Sequence, residues 1–499
     1  MDDRRLAAGS LLGSFRGTDP PGWLLDLIAE GLGGVVLFAD NVVDDDQLRA
    51  LCARLTDARS DIVIAIDEEA GDVTRLDAQA GSRLPGPAVL GVIDEDTTTR
   101  EIATLLGRRL AGIGVTLNLA PCADVNVRPD NPIVGVRAFS ADIAVAERQV
   151  PAFVEGMQRA GVAACVKHFP GHGGTSLDSH ETAPVLGESF NEMLAGPLRP
   201  FVAAIRAGSH SLMTGHLLVP AVDDLPASIS RRWMEILRDR LHFEGVIVTD
   251  ALDMGAVAGE YGTTSSLPVT SIAALAAGAD LLCLASKLDR EPISATIDAI
   301  VAALQDRQLD RGQLETSLQR ITDMQRALVT ARAESATVDG GAIAAYGRSV
   351  AARALRIEGN VPSSATGHVI ECRPESNIAV GVTGWGLVDL LGETGWFGEY
   401  LHPGQMPVLD RRDASAGPLV VVVRDAARDR WQRDVIERCA AIRRDLIVVE
   451  MGWPGPTNDS IAGRICTFGA SRASGEAAMQ RLTNEPDQLK PDQEDARHD

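Results

Sequence analysis

The chain has 499 residues, 45% of them hydrophobic and 23% charged, with 47 basic against 69 acidic side chains and a net charge of −22. That length suits two domains, or one large barrel with a companion, and the composition excludes global disorder, collagen-like repeats and coiled coils. The acidity leaves no basic stripe for nucleic acid, and no run approaches the roughly 18 apolar residues of a membrane span.

The N-terminus, MDDRRLAAGSLLGSF, lacks the long apolar core of a signal peptide, so a cytoplasmic protein with no membrane or nucleic-acid partner is expected. Eight β-rich runs follow: LLGSFRG from Leu11, GVVLFAD from Gly34, IVIAIDE from Ile62, GVTLNLAP from Gly114, AACVKHF from Ala163, SLMTGHL from Ser211, GVIVTDA from Gly245 and ADLLCLA from Ala279. They are apolar on both faces, as parallel strands covered by helices must be. Segments of helical periodicity, such as REIATLLGRRLAGIG and NEMLAGPLRPFVAAIRAG, alternate with them. Eight strand–helix units predict a (β/α)8 TIM-like barrel over 1–336, with an open doubly wound sheet as the rival.

A charged helical stretch, Gln305 to Ser335, closes this region, and 337–350 reads as a linker. A second alternating pattern fills 351–484, with strands expected at NIAVGVTG from Asn377, PLVVVVRD from Pro418, DLIVVEMG from Asp445 and RICTFGAS from Arg464. It predicts a smaller three-layer α/β sandwich domain. Residues 485–499 hold six acids, two bases and two prolines and read as a disordered tail. The seven cysteines are scattered and never form a CxxC pair, so they read as reduced core thiols.

Polar residues gather at the ends of the predicted strands: Asp67 and Glu68, Asp124 and Asn126, Lys167 and His168, His216, and Asp250. Charged groups ending apolar strands are costly unless they line a cavity, and in a barrel that end carries the active site. The densest stretch is KHFPGHGGTSLDSHETAP, Lys167 to Pro184, where Pro170, Gly171, Gly173 and Gly174 break any helix and leave a long loop. Three chemistries compete there. A zinc site of His168, His172 and His180 lacks the HExxH helix and a cysteine pair. A phosphate loop lacks the Lys-Ser/Thr that should follow the glycines. The third is acid/base work by Asp178 and His180, the carboxylate holding the imidazole's tautomer and stabilising its protonated form. In VIVTDALDMGAV, Asp250 closes a strand as a lone carboxylate, a group able to attack an electrophilic carbon.

Together KHFPGHGGTSLDSH, GVIVTDALDMGAV, NLAPCADVN, NPIVGVRAFS and GGVVLFADN make the first 290 residues resemble family 3 glycoside hydrolases, in the branch of bacterial β-N-acetylglucosaminidases. The second domain is similar, with weaker motifs, to the C-terminal α/β sandwich of two-domain members. The resemblance implies a retaining exo-β-N-acetylglucosaminidase that removes terminal N-acetylglucosamine from muropeptide-derived or chitin-derived oligosaccharides. It implies Asp250 as nucleophile and His180 as general acid/base, partnered by Asp178. It also implies that Asp67, Arg75, Arg137, Lys167 and His168 bind sugar hydroxyls, and that His216 and Met254 line the pocket. Neither cofactor nor metal is implied.

The chain departs from the family's pattern in two places. The usual Asp-Gln-Glu-Gly-Gly-Arg after the third strand is DEEAGD here, Asp67 to Asp72, and the family's Asp before the loop Thr is Gly174. Arg75 keeps its spacing. Two other activities fit the same site: a β-glycoside phosphorylase, since a histidine acid/base leaves less negative charge near the acceptor than a second carboxylate would, and a β-glucosidase. A non-catalytic sugar-binding module is the alternative from another class, and the intact Asp178, His180 and Asp250 argue against it.

Overall fold

The computed structural model describes residues 1–175, 184–258, 266–334, 338–375, 380–392, 395–409, 417–456 and 460–483. The expected tail, 485–499, lies outside them. By contact the chain divides into two compact units: Met1–Glu69, Glu95–Val134 and Ala138–Thr337 form the first, and Ala70–Asp94, Gly135–Arg137 and Val338–Asp499 the second.

The first unit is a closed barrel of eight parallel strands, β1 (Leu11–Gly13), β2 (Gly34–Leu37), β3 (Val63–Ile66), β4 (Leu117–Asn118), β5 (Ala163–Phe169), β6 (Ser211–Thr214), β7 (Val246–Thr249) and β8 (Leu281–Cys283). Each strand falls within one of the eight runs, and β1 closes on β8 with Leu11 opposite Leu282. Side chains alternate along a strand, so every second residue points into the barrel. The interior is filled by Val63 and Ala65 of β3, Ala163 and Cys165 of β5, and Val246 and Val248 of β7, among others. Ile321, Met324 and Leu328 of the helix Arg311–Glu334 join the same core. The apolar runs therefore form strands because both faces are covered.

Helices Asp96–Ile113 and Ile143–Arg159 pack outside. The expected single helix of NEMLAGPLRPFVAAIRAG is split into Phe190–Ala195 and Arg199–Arg206, because Gly196 ends the first and Pro200 opens the second. All seven cysteines are buried thiols, and burial pushes Cys52 and Cys165 up to about 12.

The second unit holds a six-stranded sheet: β9 (Arg356–Gly359), β10 (Thr366–Cys372), β11 (Gly395–Leu401), β12 (Leu419–Val423), β13 (Ile447–Glu450) and β14 (Gly463–Cys466), in the order β11-β10-β12-β13-β14-β9. All neighbours are parallel except β9, which runs antiparallel to β14. Val420 and Val422 face one core with Ala478, Met479 and Leu482 of the helix Arg472–Thr483. Leu419, Val421 and Val423 face another with Val435, Ile436 and Cys439 of the helix Arg430–Ile442. Both faces are thus covered, giving three layers.

Three expectations need correction. The segments 70–94 and 135–137, assigned above to the barrel, group with the second unit. The expected linker 337–350 is largely helix, Gly340–Ala354, capped by the Asp339 carboxylate accepting from the Ala342 N–H at 2.8 Å. It buries Ile343, Val350, Ala351 and Ala354, and Gly347 lies so close to the Arg83 carbonyl that an added Cβ would sit 2.0 Å from it. Finally, residues 380–384 of the expected Asn377 strand are not strand. Gly381 sits at φ +71°, and the Gly384 N–H bonds to the Ala78 carbonyl at 2.7 Å instead of joining a ladder. Residues 377–379 lie outside the described ones.

Candidate active site

The alternation that fills the barrel also builds its mouth. Asp67 continues the inward series Val63, Ala65; Lys167 continues Ala163, Cys165; and Asp250 continues Val246, Val248. A lysine and two carboxylates therefore form the next layer, at the C-terminal end of the strands. The Cys165 thiol senses all three: burial raises its pKa, Lys167 opposes, and Asp250 and Asp67 add to the rise.

Lys167 is 2% exposed, and its ammonium is held between two carboxylates. Asp67 Oδ1 accepts a hydrogen bond from Nζ, and Glu69 Oε1 lies 2.7 Å from it. The Asp67 side chain is 21% exposed, whereas that of Glu69 is 1% exposed. A buried ammonium is tolerated only with such compensation. Glu69 is thus the inner counter-charge and Asp67 the outer one. Glu68, the extra acid, is also buried, and its backbone pairs with the Asn118 amide through contacts of 3.0 and 2.8 Å.

His168 is set from behind. Its Nδ1 donates to Asp124 Oδ2 at 2.6 Å, while Oδ1 accepts the backbone N–H of His172 at 2.6 Å. Burial opposes ionisation of Asp124, but the His168 imidazole and the His172 N–H outweigh it and hold the carboxyl well below the usual range. Among the described residues, the hydrogen bonds of His168 run from its backbone N–H and from Nδ1, both to Asp124. Phe169, the next residue, packs edge-on against Phe201 and Trp233 with centroids 5.6 and 5.4 Å away, which anchors the end of β5.

The loop after β5 is pinned as far as it is described. The Asn131 amide donates to the carbonyls of His172 and Thr175 at 3.0 and 2.8 Å. Gly173 is required there, since a Cβ would fall 1.7 Å from the Val125 carbonyl oxygen. Asp178 and His180, the expected acid/base pair, lie outside the described residues.

Asp250 follows β7 directly. Its N–H donates to the Thr214 carbonyl at 2.9 Å, and its Oδ1 accepts from the Ala251 N–H at 2.8 Å. His216 does not offer a polar edge to a pocket. It is fully buried, with Nε2 donating to the Ala251 carbonyl at 2.8 Å and Ser228 Oγ donating to Nδ1 at 2.7 Å. The carbonyl accepts only, so it fixes the tautomer. His216 holds the chain beside Asp250. The Met254 N–H reaches the same Ala251 carbonyl at 3.2 Å, and its side chain is buried.

Arg75 and Arg137 belong to the second unit. Both are buried, and Arg75 donates to the Val380 carbonyl at 3.1 Å. Asp72 is also placed there, its carboxylate joined to Arg424 at 2.5 Å and to the Ala470 N–H at 2.7 Å. The aspartate that replaces the expected arginine thus serves an ion pair within that unit.

Sequence reading assigned no role to Glu69, Ser228 or Asn131, and none to Asp124 beyond its place at a strand end. Only Asp124 carried a signal, as an acid just past an apolar strand.

Residues 25–324 match the family model described as glycosyl hydrolase family 3 N terminal domain. The chain belongs to that family. A beta-hexosaminidase of Pseudomonas aeruginosa strain LESB58 is 38% identical over 255 residues, covering 50% of this chain and 74% of that one. One from Chromobacterium violaceum is 34% identical over 307 residues, 60% and 84% of the two chains. Beta-hexosaminidase A of Pseudoalteromonas piscicida is 30% identical over 339 residues, 62% of this chain and only 56% of that protein. Among solved structures, a family 3 β-N-acetylglucosaminidase from Paenibacillus sp. FPU-7 superposes with a TM-score of 0.86, at 26% identity, over 97% of both chains. A β-glucoside phosphorylase, 19% identical with a TM-score of 0.74 over 97% of this chain and 92% of that one, shares the fold alone.

Proposed function

We propose that this family 3 protein is a retaining exo-β-N-acetylglucosaminidase acting on amino-sugar oligosaccharides of cell-wall or chitin origin. The observation that carries the reading is the charged layer of the barrel mouth, in which the partly exposed Asp250 and Asp67 carboxylates share the strand ends with buried Lys167 and His168. The names of the related hexosaminidases and of the Paenibacillus structure support the sugar class.

In this mechanism Asp67, Lys167 and His168 grip the hydroxyls of the terminal sugar. An Asp250 oxygen attacks the anomeric carbon as the glycosidic C–O bond breaks, and the leaving oxygen takes a proton from His180. Water then attacks the same carbon, gives a proton to His180 and releases the Asp250 carboxylate. Two displacements retain the anomeric configuration. Arg75 and Arg137 remain candidate sugar contacts, and no cofactor takes part. Among the described residues no helix is long and apolar enough to cross a membrane. Seven buried thiols fit a reducing cytoplasm.

Asp250→Asn tests the reading. The amide is nearly isosteric but not nucleophilic, so turnover of an aryl β-N-acetylglucosaminide should vanish while the thermal transition stays put. A 2-fluoro amino-sugar analogue should esterify Asp250 in the wild-type protein. Labelling of a different carboxylate overturns the assignment.

A further inference from the structure

Beside His168, a proposed sugar contact, lie two further donors, Cys122 and Asp124, that do not touch the sugar in the proposed hydrolysis. Cys122 Sγ donates to Asp124 Oδ2 at 3.3 Å, and His168 Nδ1 reaches the same oxygen at 2.6 Å. One sulfur, one oxygen and one nitrogen, all on buried residues, lie within 4.8 Å of one another.

We propose that Cys122, Asp124 and His168 form a binding site for a thiophilic divalent cation, zinc foremost, which inhibits the enzyme by taking His168 out of service. Several features favour it. Bond lengths of about 2.3 Å to sulfur and about 2.0 Å to oxygen and nitrogen make tetrahedral edges of about 3.5 and about 3.3 Å. The observed 3.3 and 2.6 Å edges need to widen by less than about 1 Å. Asp124 is already oriented for it: Oδ1 is occupied by the His172 N–H at 2.6 Å, which leaves Oδ2 as the donor. One thiolate and one carboxylate cancel a double positive charge, so the filled site is neutral and its burial is tolerated. A single carboxylate with a thiolate and an imidazole suits zinc or cadmium and offers little to magnesium or calcium, which require oxygen cages.

Binding is an exchange. The cation replaces the Cys122 thiol proton, which leaves to solvent, while the His168 proton passes from Nδ1 to Nε2 by exchange with solvent so that the imidazole stays neutral, and bonds form to Sγ, Nδ1 and Oδ2. Nothing is oxidised or reduced. The fourth position is open to water. Affinity must therefore rise with pH, as it does wherever ligands surrender protons.

The test uses the full chain, stripped of metal and titrated with Co²⁺ and then Zn²⁺. One equivalent of Co²⁺ should give a thiolate-to-cobalt charge-transfer band in the near ultraviolet, which Zn²⁺ then removes. Cys122→Val should abolish the band, weaken zinc binding by about 100-fold or more, and keep turnover in metal-free buffer. Should that variant not fold, Cys122→Ser keeps the hydrogen bond, removes the soft donor and answers the same question. No band at one equivalent, or a band that survives Cys122→Val, overturns the site. Inhibition rests on the sugar-binding role proposed for His168. A stoichiometric thiolate band without any loss of turnover leaves the metal site standing and overturns that role instead.

Discussion

His168 Nδ1 and Asp124 Oδ2 are 2.6 Å apart, a charge-assisted hydrogen bond behind the ring. Its consequence is a fixed tautomer, with Nδ1 protonated and Nε2 directed away from Asp124.

That pair makes stability depend on pH. The Asp124 carboxyl is depressed in the folded chain, below the unfolded value of about 3.9. Between those two values the unfolded chain binds more protons, so the contribution is fully present above about pH 4 and is lost as pH falls through the folded value. Asp124→Asn should therefore be less stable than wild type at pH 7, by about 1–3 kcal/mol, with the gap closing towards pH 3. Urea unfolding at both pH values measures it. A gap of equal size at the two would mean that the ionised carboxylate contributes nothing.

The two carboxylates around Lys167 should behave differently. Asp67 is partly exposed to the mouth and Glu69 is buried. Asp67→Asn should lower kcat/KM by about 10–100-fold, as loss of a charged hydrogen bond of about 1.5–3 kcal/mol requires. It should also lose discrimination against one mono-deoxygenated substrate, because the missing hydroxyl and the missing acceptor are the same interaction. Glu69→Gln should slow all such substrates in parallel, since it acts through Lys167. If both variants keep the wild-type discrimination pattern, neither carboxylate touches the sugar.

His216 should act as a positioning residue. Its Nε2 bond to the Ala251 carbonyl fixes the chain next to Asp250. His216→Phe keeps the ring volume and removes both hydrogen bonds, so kcat should fall by about 100-fold with little change in KM. Ser228→Ala, which frees Nδ1, should give a smaller loss of the same kind. A rise in KM alone would instead make His216 a sugar contact.

The barrel was legible because its strands are apolar on both faces, and its mouth because five successive strands, the third to the seventh, are followed by polar or charged residues. Asp67, Lys167, His168 and Asp250 could be marked from that pattern alone. Glu69 could not, because its meaning depends on the buried Lys167, 98 positions away in the numbering. His216 was marked as a pocket residue, and nothing in SLMTGHL reveals that Ser228 and Ala251 occupy both of its nitrogens. In the second unit, β10 and β11 were missed for a related reason. TGHVIEC and GWFGEYL interrupt their apolar residues with glycine and glutamate, so their pairing is set by neighbouring strands rather than by local pattern. Glu371 shows the same dependence: fully buried, it accepts the backbone N–H groups of Leu387 and Val388 at 2.6 and 2.9 Å.

His180→Ala should harm substrates in proportion to the protonation their leaving groups need. An aryl glycoside with an acidic phenol departs largely unaided, so its first displacement should suffer little. A sugar leaving group needs the proton and should lose about 10²–10⁴-fold. Asp178→Ala should give a milder version of this pattern, because the carboxylate only orients the imidazole and stabilises its charge. The second displacement needs a base to activate water. Azide needs none, so it should partly restore turnover of the activated substrate and yield a β-glycosyl azide. Rates for a series of leaving groups, with and without azide, give the measurement. Equal slowing across the series with no azide product would make His180 structural, and Glu181 would then be the nearest residue to examine as acid/base.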